Sequence, residues 1–109
     1  MFDALEVSLQ VLEQLVPIER RIRRANLDLG KQLARAGESM VLNLGEGRGR
    51  KDGDQRRHYE FANGSAGEVT VALRVAVLKG YVTRDELAVV DTLLDRLRAM
   101  TYRLTHKRG

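Results

Sequence analysis

Helix-start signals constrain the fold of this chain more than any other feature of its sequence. A capping box pairs an N-cap side chain with an acidic or amide side chain three residues later, and each binds the backbone N–H of the other. Three such pairs occur, namely Asp3 with Glu6, Asp52 with Gln55, and Thr83 with Glu86. Asn26 or Asp28 can cap a further helix after the first one. The sequence therefore predicts four helices.

Apolar residues after each start recur every three or four positions, which is the spacing that places side chains on one face of a helix. The predicted core faces are Leu5, Leu9, Leu12 and Val16; Leu29, Leu33, Ala36, Met40 and Leu44; Phe61, Ala62, Ser65, Ala66 and Val69; and Leu87, Val90, Leu94, Leu97, Thr101 and Leu104. Pro17 predicts a kink or a restart in the first helix, because proline removes a backbone donor. Short links make sequential helices antiparallel neighbours. We therefore expect an all-α, antiparallel up-down-up-down four-helix bundle that forms one domain over residues 1–109.

Residues 69–77 also fit a strand. Their apolar side chains alternate and are mostly β-branched, which is typical of strands. However, Ala72 and Ala76 make the opposite face apolar too, and no turn signal precedes the segment, so we predict a helix. One four-helix core cannot hide all of this apolar surface, and the excess predicts a homo-oligomer. The residues that carry it are Val71, Val75, Val77, Val89 and Leu93.

A basic, glycine-rich segment should end the second helix, since four glycines fall within residues 45–53 and glycine weakens a helix. In the predicted topology this link lies beside the start of the first helix and the end of the fourth. The cations gathered there are Arg48, Arg50, Lys51, Arg56, Arg57, Arg103, Lys107 and Arg108. Clustered cations can bind phosphates, and Tyr59 could stack on a base. We expect RNA or DNA binding at this end; the alternative is a scaffold that docks another protein, with these residues solvated and near Asp3 and Glu6.

Composition excludes several classes of protein. The chain has no cysteine, which rules out a disulfide framework and is compatible with the cytoplasm. No apolar run approaches the ~20 residues that span a bilayer, and no basic residue precedes Arg20, unlike a signal peptide. We expect a soluble, unprocessed, cytoplasmic protein with no membrane partner.

The sequence contains no recognisable catalytic constellation. His58 and His106 lack the glutamate three residues before them that metal-binding bundles use, so we expect no enzyme activity, no metal and no cofactor. Four polar residues remain for explanation, namely Asn43, Glu46, Ser65 and Glu68. Asn43 and Ser65 fall on apolar helix faces, where an unpaired group would cost about 1–3 kcal/mol. We interpret the four as a structural polar network; the alternative is a polar site that faces a ligand.

Two segments resemble a known bacterial family. Residues 32–50 read QLARAGESMVLNLGEGRGR, and residues 59–68 read YEFANGSAGE, similar to the family's aromatic-then-Gly-Ser-x-x-Glu segment. They resemble the four helix bundle protein family, also called the 23S rRNA-intervening sequence protein family. The resemblance implies a bundle that assembles into a ring, often a pentamer, with no established catalytic activity. Some relatives resemble accessory proteins of diversity-generating retroelements, basic rings that engage a reverse transcriptase and nucleic acid. Gly45 stands where the family usually has alanine, which should loosen that turn.

Overall fold

Four α-helices account for most of residues 3–106, the part of the chain that the computed structural model describes. Helix α1 spans Ala4–Ala25, α2 spans Leu27–Arg48, α3 spans Asp52–Leu78, and α4 spans Ala88–Thr105 after a 3-10 turn at Asp85–Leu87. No strand occurs within residues 3–106. The all-α prediction is confirmed, and residues 69–77 are helical.

Each helix packs against its neighbour in the chain, and α1 also packs against α4. Helices α1 and α3 therefore occupy diagonally opposite corners, as do α2 and α4. Two ion pairs show in which direction each helix runs relative to its neighbour. Arg48 Nη2 at the end of α2 lies 3.0 Å from Asp3 Oδ2 at the start of α1, and Arg21 near the end of α1 pairs with Glu86 before α4. These contacts require the antiparallel up-down-up-down arrangement.

Asn26 alone links α1 to α2 and caps both helices. Its backbone N–H donates to Ile22 O at 2.7 Å, which ends α1. Its side-chain Oδ1 accepts from Leu29 N at 3.0 Å, which begins α2. Its amide also lies 3.5 Å from Tyr81 Oη in the α3–α4 connection. One residue therefore holds three elements at this end of the bundle.

The core face of α1 differs from the predicted one. Ala4, Val7, Val11, Leu15 and Ile22 are buried, whereas Leu9 and Val16 are 42% and 41% exposed. Both sets have helical spacing, but α1 must face α2 and α4 together, and only the first set lies between them. Pro17 does not interrupt the helix, because it lies on the exposed side, where water can bind the Glu13 carbonyl that lacks a partner.

Most residues of the other predicted core faces are buried, but Phe61 and Leu104 are 53% and 39% exposed. One predicted capping box is also wrong. Leu33, Met40 and Leu44 on α2 are at most 1% exposed. Asp52 does not cap α3; it is the first helical residue, with φ 55°. Gln55 Nε2 instead donates to the carbonyl oxygens of Gly47 and Arg50, both at 3.0 Å. Gln55 therefore completes the C-terminus of α2.

The Thr83–Glu86 capping box forms as the sequence predicts, and Asp3 forms the N-cap half of the Asp3–Glu6 box. Asp3 Oδ1 accepts from Glu6 N at 3.0 Å. Thr83 N donates to Glu86 Oε1 at 3.1 Å, and Glu86 N donates to Thr83 Oγ1 at 3.2 Å. This second box begins the 3-10 turn that leads into α4.

Within the described chain, no helix is both long enough and apolar enough to cross a membrane.

Candidate functional site

The link between α2 and α3 is short and internally bonded. Helix α2 continues through Gly45 and Gly47, so only residues 49–51 are non-helical. Gly49 N donates to Glu46 O, and Arg50 N donates to Gly47 O, both at 3.1 Å. Together with the Gln55 amide, these bonds fix the backbone that presents the predicted cations.

Four of the six predicted cations within residues 3–106 already have carboxylate partners. Besides the Arg48–Asp3 pair, the ion pairs are Arg50 with Glu46 at 3.3 Å and with Asp54 at 2.9 Å, Arg56 with Glu60 at 3.3 Å, and Arg57 with Asp54 at 2.8 Å. Lys51 and Arg103 have no carboxylate partner within 4.0 Å among residues 3–106. Lys107 and Arg108 lie outside the described residues.

These ion pairs offset the positive charge around the α2–α3 link, but they hold its side chains only weakly. All of their side chains are at least 37% exposed, and an exposed pair contributes only about 0–1 kcal/mol. Burial alone would raise the pKa of Asp54, but the hydrogen bond and charge of Arg50, with the charges of Arg57 and His58, lower it. The hydrogen bonds to Asp54 and Glu46 raise the pKa of Arg50. Phosphates would have to displace these carboxylates.

Tyr59 is not placed to stack on a base. The residue is only 9% exposed, and its ring packs against Gly47 of α2. A Cβ added to Gly47 would lie 2.7 Å from Tyr59 Cε1, so glycine is what permits the contact. Burial, followed by the nearby Asp3 charge, raises the pKa of the Tyr59 hydroxyl, while Arg48 opposes the shift. Tyr59 belongs to the bundle core.

A polar network joins α2 to α3 in the middle of the bundle. Asn43 Nδ2 donates to Ser39 O at 2.9 Å and lies 3.2 Å from Ser39 Oγ. Ser65 Oγ donates to Ser39 Oγ at 2.8 Å, and His58 Nδ1 lies 3.2 Å from Asn43 Oδ1. Asn43 and Ser65 therefore meet through Ser39. Every buried side-chain nitrogen and oxygen in residues 3–106 has a hydrogen-bond partner, so no unpaired atom there awaits a ligand.

Two of the predicted network residues lie elsewhere. Glu46 is in solvent and pairs with Arg50, and Glu68 is exposed on α3. Sequence reasoning missed Ser39 and His58 as members. The spacing of Ser39 and Asn43, four apart on one helix face, was the available signal. The position of His58 opposite Asn43 depends on the α2–α3 register.

An apolar ridge runs along the outer face of α3. Phe61, Val71 and Leu78 are 53%, 61% and 85% exposed. Val75 lies between Val71 and Leu78 at spacings of four and three, and the exposed Glu68 interrupts the ridge between Phe61 and Val71. Beside the ridge lies a surface groove of about 590 Å³. Its lining is mixed, with Leu29 and Gln32 on α2, with Gly64, Gly67, Glu68, Thr70, Val71, Ala72, Arg74 and Val75 on α3, and with Arg98 on α4. Of the other residues in the oligomer prediction, Val89 is exposed, while Val77 and Leu93 pack partly against the core.

A second apolar surface lies between α1 and α2. The exposed residues Leu9 and Val16 border a groove of about 210 Å³, whose lining residues are Leu12, Leu15, Val16, Leu33 and Ala34, with Glu19 and Glu38. This groove and the α3 ridge are different surfaces, built from different residues. Among residues 3–106, no three potential metal ligands come together.

The helix order, the satisfied core and the two apolar surfaces define a small antiparallel four-helix bundle protein. The model of the 23S rRNA-intervening sequence protein family matches residues 2–103. The chain belongs to that family.

A solved structure shows the same fold. It is the crystal structure of a protein of unknown function from the S23 ribosomal protein family of Bacteroides thetaiotaomicron, with 17% sequence identity and a TM-score of 0.88. The similarity covers 95% of this chain and 99% of that one. The comparison with curated proteins gives no match.

Proposed function

We propose that this protein is a non-enzymatic homo-oligomer that serves as a binding scaffold. The observation that carries the proposal is the pair of unlike apolar surfaces, the α3 ridge and the α1–α2 groove. Leu78, at 85% exposed, and Val71, at 61% exposed, would leave water on association. Exposed apolar patches of this kind mark interaction sites in folded proteins.

The arrangement of the two surfaces favours a ring. The α3 ridge and the α1–α2 groove have different residues and point in different directions. A contact between unlike surfaces is head-to-tail, and it closes into a ring when the rotation between copies permits. A pentamer is the ring size that the family resemblance implies.

Charged substitutions on the ridge test this assembly. The double variant Val71→Glu and Leu78→Glu should keep its helicity, because both side chains are exposed, but should lose mass in light scattering at micromolar concentration. Thr92→Glu is the matched control, since Thr92 is exposed on α4 outside both surfaces. Wild-type protein should contain several protomers, as should the control. A monomeric wild type would refute the proposal. A double variant with the same mass as wild type would show that the ridge is not part of the interface.

A second candidate function is nucleic-acid association through the α2–α3 link. It is supported by the concentration of Arg48, Arg50, Lys51, Arg56 and Arg57 around one short link. A ring would repeat this cluster and raise avidity without new contacts. If this candidate is right, replacing Arg48, Arg50 and Lys51 together with Gln weakens RNA or DNA binding and flattens its salt dependence. Unchanged binding in a still-assembled variant would exclude the link.

A further inference from the structure

Within residues 3–106, the excess positive charge of the bundle lies at the end opposite the α2–α3 link. We define the far end as residues 19–31 and 79–86, and the link end as residues 3–6, 46–60 and 103–106. The far end has seven basic side chains, Arg20, Arg21, Arg23, Arg24, Lys31, Lys79 and Arg84, against four acidic ones, Glu19, Asp28, Asp85 and Glu86. The link end has six of each: Arg48, Arg50, Lys51, Arg56, Arg57 and Arg103 against Asp3, Glu6, Glu46, Asp52, Asp54 and Glu60. The described link end is therefore neutral in formal charge.

Contacts bring the parts of the far end together in space. The Arg21–Glu86 ion pair joins α1 to the start of the 3-10 turn. A Cβ on Gly30 would lie 3.0 Å from the Arg23 Cα, so the first turn of α2 packs directly on the last turns of α1. The Asn26–Tyr81 contact adds the α3–α4 connection to the same surface.

The far-end cations are also mostly unpaired. Only Arg21 and Arg23 have a carboxylate partner within 4.0 Å among residues 3–106. The five others are Arg20, Arg24, Lys31, Lys79 and Arg84, and all five side chains are exposed. At the link end, by contrast, four of six cations are paired.

Two of these cations lie close together on one helix. Arg20 and Arg24 are four residues apart on α1, a like-charge spacing that destabilises a helix. The helix dipoles of α1 and α3 favour cations near Arg24 and Lys79. However, the backbone has no net charge, so the dipoles do not cancel the excess positive charge of the side chains. An anionic partner would relieve this repulsion.

We infer that the far end binds the phosphate backbone of a nucleic acid. Lysine and arginine side chains recognise phosphates without reading sequence, and the far end offers five such side chains free of internal competitors. No exposed aromatic ring accompanies them within residues 19–31 and 79–86, so base stacking plays no part. This inference does not depend on oligomerisation, although a ring would repeat the surface around its axis.

Two charge-matched variants test the location of the site. The far-end variant carries Arg20→Gln, Arg24→Gln and Lys79→Gln; the link variant carries Arg48→Gln, Arg50→Gln and Lys51→Gln. Both remove three positive charges. The probe is a fluorescein-labelled 30-nucleotide RNA, with DNA of the same sequence, titrated by anisotropy between 50 and 200 mM salt. Losing three contacts on a single strand should lower the salt slope by about 2 and the affinity at 0.1 M salt by up to about 100-fold.

The inference requires the far-end variant to lose binding while the link variant stays close to wild type. The reverse result would overturn it, as would wild-type protein that binds neither RNA nor DNA. Far-end-dependent binding to anionic vesicles, with no nucleic-acid binding, would also overturn it. Helicity and light-scattering mass are measured for each variant, and Arg84→Gln with Lys31→Gln gives an independent second far-end variant. The assembly proposal survives any of these outcomes, because it rests on mass alone.

Discussion

Two glycines near the end of α2, Gly45 and Gly47, can be used to test whether the packing of α3 against α2 requires a residue without a side chain. At Gly45, a Cβ would meet no atom within 4 Å. At Gly47, it would lie 2.7 Å from Tyr59 Cε1, 2.8 Å from Tyr59 Cδ1 and 3.2 Å from His58 Cβ. The Tyr59 ring is buried and cannot move aside without disturbing the core. The two positions therefore differ in steric environment rather than in helical conformation.

Alanine at both positions separates helix propensity from packing. Replacing a helical glycine with alanine stabilises a helix interior by up to about 1 kcal/mol, and this gain is common to both variants. Overpacking a filled site costs about 1–3 kcal/mol. The difference between the variants isolates that cost, so Gly47→Ala should be less stable than Gly45→Ala by about 1–3 kcal/mol. Gly45→Ala should be at least as stable as wild type.

Thermal unfolding followed by circular dichroism measures the difference. For a chain of this size, 1 kcal/mol shifts the midpoint by about 4 °C, so the variants should be separated by about 4–12 °C. Protein concentration must be equal, because an oligomer's midpoint depends on it. Equal midpoints would refute the reasoning, since they would mean that the α2–α3 approach does not need a glycine at position 47.

Three further substitutions test separate features of the bundle. Pro17→Ala should raise the free energy of unfolding by up to about 3 kcal/mol, because it restores an α1 hydrogen bond; an unchanged urea midpoint would contradict this. Asn43→Ala should cost about 1–3 kcal/mol, since it leaves Ser39 with one partner fewer, and a urea denaturation that matches wild type would show the network to be dispensable. Asp54→Asn should be less stable than wild type at neutral pH, because Arg50 lowers the pKa of the folded carboxyl. A lowered folded pKa adds stability above the unfolded value of about 3.9, and that stability is lost as pH falls through the folded value; a difference that stays constant down to pH 2 would disprove the assignment.

The sequence was sufficient for the fold because its local signals agree with one another. On α4, Val90, Leu94 and Leu97 are all at most 2% exposed, as their spacing predicts. On α1 the same rule failed, since two sets of apolar residues have helical spacing. Which set is buried depends on where α2 and α4 lie, and that information is not local.

The contacts of the candidate site are also of two kinds: local ones, which the sequence predicts, and long-range ones, which require the fold. The Arg50–Glu46 and Arg56–Glu60 pairs are four residues apart on the chain and can be predicted from helical geometry. The Arg48–Asp3 pair joins distant parts of the sequence and needs the fold. The Gln55 cap was missed because its acceptors lie outside α3, on Gly47 at the end of α2 and on Arg50 in the link. Together these contacts neutralise an end that looks strongly basic when only its arginines are counted.

The single-residue link at Asn26 has a consequence for the order of folding. Closing a loop costs entropy that rises with its length, and α1 and α2 meet across a link of one residue, with caps for both helices supplied locally. Contacts between α1 and α4, by contrast, close most of the chain. We expect the α1–α2 hairpin to form early and the α1–α4 seam to form last, so that mutations at Asn26 slow folding while mutations in the seam mainly speed unfolding.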